Sequence, residues 1–182
     1  MRAAVEILTI GYGNRAIDGF LDELAAAGVE YLVDVRSAPY SRFKPDFSKR
    51  RLAAALEARG IRYVLMGDSL GGRPDDAECY DETGRADYAR MRLRPAFQEG
   101  IARLQAGHSS GHRIALMCAE AAPQDCHRTR LVGEELVALA IPVAHIDQHG
   151  QPRSHAVVMQ LVTGGQESLF AARRSPHPIR RR

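Results

Sequence analysis

The fold is decided by the stretch HRIALMCAEAAPQDCHR, residues 112–128, which runs directly into TRLVGEELVALA, residues 129–140. An apolar run of strand length ends at Cys118, and a polar loop follows it. That loop delivers Cys126, His127 and Arg128 to the start of an amphipathic helix. In a strand–loop–helix unit, backbone N–H groups and the helix dipole favour an anion at the loop. We therefore expect a reaction or binding site here.

Further strands and helices alternate on both sides of this stretch. Apolar runs bounded by turn residues predict the strands, and apolar residues at helical spacing predict the helices. Besides the run that ends at Cys118, strands are expected at 5–10, 31–35, 61–66 and 143–146. Helices are expected at 17–28, 48–60, 129–140 and 154–162, and a further helix begins at 95 and continues beyond 104. The segment 67–87 is long and polar, which is typical of a functional or mobile loop. The alternation predicts an α/β fold: a single domain, residues 1–163, with a mostly parallel sheet of about five strands flanked by helices.

Five polar clusters follow the predicted strands. In parallel sheets, ligands bind beyond the carboxyl ends of the strands. Polar loops follow strands in any protein, so part of this convergence is automatic. The clusters lie at 11–15, 34–36, 68–73, 118–128 and 145–149. The active-site loops are therefore expected at this edge of the sheet.

The charge of the chain is concentrated at its end. The formal net charge of the chain is +3. The five arginines at 173, 174 and 180–182 contribute +5, so the rest of the chain carries a net charge of about −2. We expect residues 164–182 to form a flexible, basic tail, which is either a solvated end or a contact to a polyanion. The three cysteines give no disulfide framework. With no apolar run of membrane-spanning length and no secretory pattern, a cytoplasmic protein without membrane contact is expected.

The loop after Cys118 offers catalytic groups. Cys126 lies where a helix begins and beside His127, which favours a thiolate, so it is a candidate nucleophile or a packed loop residue. Glu120 is a candidate acid or base, or a carboxylate that shapes the loop. Cys118, at the end of an apolar strand, is interpreted as buried and inert. Arg128 at a helix start needs an anion nearby, which a phosphate or a carboxylate could supply.

A second group of candidate residues follows the second strand. Asp34 and Arg36 are two residues apart, so they point to one side and form either an organising ion pair or an anion clamp. Asp34 joins Cys126, His127 and Glu120 as a predicted catalytic residue. The basic and aromatic residues of 40–51 predict a nucleic-acid groove or an exposed helix start. The predicted anion- and substrate-binding residues are Arg36, Arg128, Gly11, Tyr12, Asn14, Arg15, Ser41, Gly71 and Gly72.

Other site classes match less well. A zinc site from His145, His149 and His155 with Cys126 and His127 fits none of the compact zinc spacings, so no metal is predicted. A Cys-x5-Arg phosphatase loop is excluded by Gln124 and Val132. The GYG at 11–13 lacks the rest of a dinucleotide fingerprint, and no cofactor is predicted.

The predicted tail contains QESLF at 166–170. This segment resembles the short peptide by which bacterial repair and replication proteins bind the sliding clamp. In such a peptide Leu169 and Phe170 would enter an apolar pocket while Gln166 anchors the other end. The alternative is an apolar pair that folds back on the protein itself.

Four motifs together resemble a known bacterial family. They are TIGYG at 9–13, VDVR with Pro39 and Ser41 after it at 33–41, LGG at 70–72, and CAE with CHR at 118–128. Over about residues 5–150 the chain is identified as a member of the uncharacterised family called domain of unknown function 488. The family more often has His-Ser where this chain has Tyr12-Gly13. The resemblance implies a shared site at Asp34, Arg36, Glu120, Cys126, His127 and Arg128, and no established activity. A looser likeness is to rhodanese-type domains, and the Cys-His-Arg triplet alone is similar to that of DNA alkyltransferases.

These observations lead to three hypotheses for function. The first is a nucleic-acid-processing, DNA-repair-associated enzyme that binds a phosphate or a damaged nucleotide, with DNA and the sliding clamp as partners. The second is a small-molecule enzyme that handles sulfur or phosphate. The third is a non-catalytic adaptor that binds a nucleotide or DNA.

Overall fold

The computed structural model describes residues 5–163. In this range the chain forms one six-stranded sheet with seven α-helices. The strands are β1 Ile7–Gly11, β2 Tyr31–Asp34, β3 Arg62–Leu65, β4 Ile114–Cys118, β5 Val143–Ile146 and β6 Pro152–Ser154. The helices are α1 Ile17–Ala26, α2 Lys49–Glu57, α3 Gly67–Leu70, α4 Tyr88–Arg92, α5 Pro95–Ser109, α6 Glu134–Ala138 and α7 His155–Val162.

The sheet has the order β3-β2-β4-β1-β5-β6. The first five strands are parallel, and β6 pairs with β5 in the antiparallel direction. The predicted α/β class with a mostly parallel sheet is thus confirmed. Gly11 is in register with Cys118, and Asp34 with Met117. The carboxyl ends of β1, β4 and β2 therefore lie side by side, and the loops that follow them meet at one edge.

Apolar side chains cover both faces of the sheet, because a parallel sheet is buried on both sides. On one face, Val33 and Leu116 of the strands pack with Phe97 and Leu104 of α5 and with Leu136. On the opposite face, other strand residues pack against α1 and α2. The chain thus leaves β2 toward one face and β4 toward the other, which opens a crevice between their carboxyl ends.

The segment 67–87, predicted as a loop, is more structured than expected. It contains α3 and a 3₁₀ turn at Ala77–Cys79. Burial of Leu70 and Cys79 orders it, although elements this short carry no readable periodicity. Helix α3 makes its principal contacts with α5.

Three further elements differ from the predictions, and the first is the five-residue helix α4, which was not predicted. The sixth strand, β6, was not predicted, because it is short, exposed and begins with a proline. The helix predicted at 129–140 is divided: residues Arg128–Gly133 form a π-helical turn, and only Glu134–Ala138 are α-helical. Short π-helical segments are frequent at functional sites. The last helix agrees with the prediction, and the Ser154 hydroxyl accepts a hydrogen bond from the Val157 N–H.

Across residues 5–163, none of the helices has the length and apolar character that crossing a membrane requires.

Candidate active site

Thiol, carboxylate and imidazole groups meet where β4 ends and the following loop returns to the sheet. Cys118 ends β4, Glu120 lies two residues further on, and Cys126 and His127 precede the π-helical turn. The Glu120 Oε2 atom lies 2.7 Å from Cys118 Sγ and 3.1 Å from Cys126 Sγ. The His127 Nδ1 atom lies 3.7 Å from each of the two sulfurs. The structure thus brings three of the predicted catalytic residues together and adds Cys118. We call these four residues the dithiol cluster.

The imidazole of His127 is held from its far side. Its Nε2 atom donates a hydrogen bond to the carbonyl oxygen of Val35, at 3.0 Å, because a carbonyl can only accept. The Nδ1 atom is therefore the one that faces the sulfurs. Gly72 packs against the ring, and a Cβ at this position would lie 2.6 Å from His127 Cγ. The predicted substrate-binding residue Gly72 thus permits the ring to occupy this position.

The two thiols of the cluster do not ionise equally. The hydrogen bond to Cys126, together with burial, raises the pKa of Cys118. Burial opposes ionisation of Cys126, but hydrogen bonds from Cys118 and His127 and the charge of Arg128 outweigh it and lower the pKa of Cys126. Burial would lower the pKa of His127, but its hydrogen bond to Cys126 raises that pKa overall. The Cys126 thiol is therefore the more acidic of the two, and burial is outweighed by the hydrogen bond that favours the protonated form of His127.

Arg128 is fully buried behind the cluster. Its Nη1 donates to the backbone oxygen of Glu120 at 2.7 Å and its Nη2 to that of Ala121 at 3.3 Å. Its Nε donates to Thr9 Oγ1 at 3.2 Å, and its backbone N–H to Cys126 Sγ at 3.4 Å. These donors are directed at atoms of the protein itself. Arg128 therefore positions the loop and the sulfur, which is a different role from the predicted anion contact.

A chain of hydrogen bonds continues from Thr9 away from the cluster. Thr9 Oγ1 lies 2.7 Å from His145 Nδ1, and His145 Nε2 lies 2.9 Å from His155 Nδ1. His155 Nε2 lies 2.7 Å from Glu134 Oε1. Of the histidines weighed for a zinc site, His145 and His155 therefore belong to this separate chain, while His149 is exposed.

Asp34 and Arg36 form a buried ion pair. Arg36 Nε and Nη2 donate to the two carboxylate oxygens of Asp34 at 2.8 and 2.6 Å, and Nη2 also donates to the Phe47 oxygen at 2.8 Å. The Tyr63 hydroxyl donates to Asp34 Oδ2 at 2.7 Å. Burial raises the pKa of Tyr63, so it stays a neutral donor. Asp34 thus holds Arg36 in place. None of these hydrogen bonds joins Asp34 to the dithiol cluster.

One nitrogen of Arg36 differs from the others. The side chain is 5% exposed, and its Nη1 atom has no hydrogen-bond partner within residues 5–163. A buried N–H without an acceptor is costly. The Arg36 guanidinium also lies over the Tyr12 ring, with Cζ 5.4 Å from the ring centroid.

A pocket of about 650 Å³ connects Arg36 to the cluster. This volume suits a ligand of nucleotide size. Its wall combines basic, acidic and aromatic side chains with three members of the cluster. The chemistry-bearing residues on the wall are Tyr12, Arg36, Tyr40, Asp68, Arg73, Asp75, Asp76, Tyr88, Arg94, Cys118, Glu120, Asp125 and His127.

The residues predicted after β1 occupy different places. The Tyr12 ring stacks on Phe47 with centroids 4.4 Å apart and lines the pocket. The backbone at Gly11 packs against the loop that carries Glu120. Asn14 is exposed in the turn. Arg15 donates to the Gly11 oxygen and pairs with a glutamate of α1, so it supports the turn from behind.

Two further predicted residues support neighbouring loops. The Ser41 hydroxyl accepts a hydrogen bond from the Lys44 N–H at 3.2 Å and so closes a local turn. A Cβ on Gly71 would lie 2.3 Å from both the Gly67 oxygen and Ser37 Oγ, so this glycine permits close packing. The tail residues Gln166, Leu169 and Phe170 lie outside the residues that the structure describes.

Sequence reasoning missed the part that Cys118 takes in the site. It was interpreted as an inert core residue, yet its sulfur shares the Glu120 carboxylate with Cys126. The signal that could have found it is the pattern Cys-x-Glu-x5-Cys-His at 118–127. It joins four potential metal ligands within ten residues, although its spacing is that of no compact zinc motif.

The fold and the site define an α/β domain with a thiol-containing polar cluster at the carboxyl ends of its central strands. A family model matches residues 16–134, and the chain belongs to the family described as domain of unknown function DUF488. This confirms the predicted family, whose description names no activity. Comparison with curated proteins and with solved structures gave no significant match. The looser likeness to rhodanese-type domains is not shown by these comparisons.

Proposed function

We propose that this protein is an enzyme acting on a phosphate-bearing substrate, and specifically on nucleic acid, with the dithiol cluster as its reacting centre. The observation that carries the proposal is Arg36, whose buried Nη1 atom has no hydrogen-bond partner among residues 5–163 and whose side chain lines the same pocket as Cys118, Glu120 and His127. An anchoring group and a reacting centre on one pocket wall are what an enzyme needs to orient a substrate.

The partners of Arg36 support a phosphate as its ligand. Two of its nitrogens are already fixed by Asp34 and by the Phe47 oxygen, so the guanidinium is preorganised. A phosphate oxygen accepting from Nη1 would form a charge-assisted hydrogen bond in a dry environment, where such bonds are strongest. The Tyr63 hydroxyl bond to Asp34 draws off part of the carboxylate charge that would otherwise repel the phosphate.

The rest of the pocket wall supports a nucleotide. Acidic side chains would repel a second phosphate, yet they accept hydrogen bonds from the amino groups of a nucleobase. Tyr40 and Tyr88 offer aromatic faces on the same wall. A phosphate at Arg36 and a base toward the acidic side would use both kinds of group. The acidic residues are Asp68, Asp75, Asp76 and Asp125.

The surface beside the pocket supports a polymeric substrate. Tyr40 is 72% exposed and Phe43 is 91% exposed, so both rings are accessible to a partner that stacks on them. Exposed basic side chains surround them in sequence, namely Arg42, Lys49, Arg50 and Arg51. Aromatic platforms between basic residues bind single-stranded nucleic acid by stacking and by phosphate contacts.

The test is fluorescence anisotropy with a labelled single-stranded oligonucleotide. The Phe43→Ala variant is expected to weaken binding roughly tenfold through lost stacking. The matched control is Leu93→Ala, which removes another exposed apolar side chain and is expected to leave binding unchanged. Binding should also fall steeply as the salt concentration rises.

The nucleotide-sized pocket favours one alternative, a small-molecule enzyme that handles phosphate or sulfur. A nucleoside monophosphate would then bind with the same affinity in the parent protein and in Phe43→Ala, and the oligonucleotide would bind no better than the monophosphate. That result would reject the nucleic-acid proposal. The association with DNA repair depends on the proposed clamp-binding segment in the tail.

A further inference from the structure

The dithiol cluster has the donor set and the spacing of a metal site. We propose that Cys118, Cys126, His127 and Glu120 together bind one Zn²⁺ ion. Their potential ligand atoms, two sulfurs, one imidazole nitrogen and one carboxylate oxygen, all lie within 4.8 Å of one another. The inference concerns the same site as the proposed function, but it goes beyond it and needs no nucleic-acid substrate.

The two nitrogen–sulfur distances agree with tetrahedral coordination, whereas the two oxygen–sulfur distances are shorter. Metal–ligand bonds of about 2.3 Å to sulfur and about 2.0 Å to nitrogen or oxygen place tetrahedral ligands roughly 3.5–3.8 Å apart. His127 Nδ1 lies 3.7 Å from both sulfurs. Glu120 Oε2 lies somewhat nearer to them, at 2.7 and 3.1 Å. Binding of the ion would therefore require the exposed Glu120 side chain to move outward by roughly 0.5–1 Å.

The imidazole of His127 is prepared for coordination. Metal-bound histidines almost always donate the other ring N–H to a carbonyl or carboxylate, which fixes the tautomer. Here Nε2 donates to the Val35 oxygen at 3.0 Å, so Nδ1 is the ring nitrogen that faces the sulfurs. Gly72 leaves the space that this ring occupies, because a Cβ there would lie 2.6 Å from His127 Cγ. A metal ion would take the position of the proton on Nδ1.

The surroundings of the cluster also fit a metal. The backbone N–H of Arg128 donates to Cys126 Sγ at 3.4 Å, as is typical of thiolate ligands. Two thiolates and a carboxylate around Zn²⁺ leave one net negative charge, and the buried Arg128 guanidinium beside the cluster balances it. The same guanidinium holds the Glu120 oxygen and so fixes the loop that brings Glu120 to the sulfurs.

The ligand types select the metal. Soft thiolates with one imidazole favour zinc over magnesium or calcium, which prefer oxygen ligands. Both cysteines are buried, whereas Glu120 is exposed on the pocket wall. Glu120 is therefore the exchangeable ligand, and its release would open a coordination position toward the pocket, as catalytic zinc sites require. In this arrangement Cys126 acts as a ligand rather than as a nucleophile.

The experiment measures metal in the full-length protein, purified without chelators, by elemental analysis. We expect about one zinc per chain. The Cys118→Ala and Cys126→Ala variants are expected to lose the zinc. The matched control is Cys79→Ala, because Cys79 is equally buried but lies outside the cluster. Glu120→Gln is expected to keep zinc with an affinity lowered roughly tenfold or more, since it weakens only the exposed ligand.

Cobalt gives a second readout that needs no variant. Replacing zinc by Co²⁺ in the unmodified protein is expected to give thiolate-to-metal charge-transfer absorption and the intense visible bands of a tetrahedral site. Zinc-free protein that gives no such spectrum with stoichiometric Co²⁺ after reduction would overturn the proposal. So would a protein that contains a stable Cys118–Cys126 disulfide, or one in which Cys79→Ala alone loses the metal.

The outcome is separable from that of the proposed function. Oligonucleotide binding through Phe43 is measured by anisotropy, whereas zinc is measured with no substrate present. Zinc without nucleic-acid binding would leave a metal protein with another substrate. Nucleic-acid binding without zinc would leave the proposed function with Cys126 as its thiol group.

Discussion

The α-carbon of Gly11 lies against the backbone carbonyl of Glu120, so closely that a Cβ at position 11 would stand 1.7 Å from the Glu120 oxygen. Gly11 ends β1, and Glu120 belongs to the loop that follows the neighbouring strand β4. The position of Glu120 beside the two sulfurs therefore depends on a missing side chain in another strand.

Gly11→Ala is expected to displace this loop and to destabilise the protein by about 3 kcal/mol, the upper range for overpacking a buried site. Urea denaturation measures the loss. Cys118 and Cys126 should also react faster with a thiol reagent. The matched control is Gly19→Ala in α1, where a Cβ meets no atom within 4 Å and a gain of about 0.5–1 kcal/mol is expected. Equal stability of the two variants would contradict the close contact.

Asp34→Asn is expected to destabilise the fold by about 3–5 kcal/mol, because it leaves the charge of buried Arg36 uncompensated. Tyr63→Phe removes a single hydrogen bond to the same carboxylate and should cost only about 1 kcal/mol. Both values come from urea denaturation at neutral pH. If Tyr63→Phe proved the more damaging change, Asp34 would not be the group that holds Arg36.

Acidification is expected to destabilise the protein through His145. Burial, together with the charges of His155 and Arg128, lowers the pKa of His145 to about 3. The unfolded chain binds this proton near pH 6.5, so the neutral imidazole contributes stability above that pH, and the contribution is lost as the pH falls from 6.5 toward 3. By pH 5 the loss is about 2 kcal/mol.

The groups that face His145 are Thr9, Thr129, His155 and, through His155, Glu134. His145→Gln should flatten the dependence of the free energy of unfolding on pH between 7 and 5. The exposed His149, changed to Gln, should leave that dependence as it is in the parent protein. An unchanged slope in His145→Gln would show that another group titrates.

Binding to a bacterial sliding clamp is predicted for the tail. The full-length chain is expected to bind the clamp with micromolar affinity through Gln166, Leu169 and Phe170. Replacing Leu169 and Phe170 by alanine removes the two apolar anchors and should abolish binding in surface plasmon resonance. Binding that survives this double change would refute the segment as the contact, and no binding by the parent chain would remove the clamp from the proposed partners.

Most of the sheet could be predicted from local patterns. The parallel strands are continuous apolar runs that end in polar residues, and glycines such as Gly28 and Gly60, both with positive φ, follow their helices. The pattern fails where tertiary contacts order a segment. Helix α3 is four residues long, and β6 is an exposed three-residue segment that pairs with β5.

The site was predictable only in part. Its catalytic candidates are close in sequence, so the loop could be recognised. The return of Cys126 to Glu120 depends on Arg128, whose Nε bonds to Thr9 at the other end of the chain. The local sequence pattern places the positively charged Arg128 at the start of a predicted helix, and it therefore predicts an anion beside Arg128. It carries no information about the carbonyl groups that the folded loop directs at Arg128.

The short strand β6 determines at which edge of the sheet a further strand could pair. It covers the margin of β5, and because Pro152 has no N–H to donate, the ladder of hydrogen bonds cannot continue regularly beyond it. Association of two copies by joining their sheets would therefore have to use the opposite margin. That margin is β3, where the exposed and charged Arg62 stands at the start of the strand. A charged side chain there discourages edge-to-edge assembly, so this sheet is protected from pairing at both of its margins.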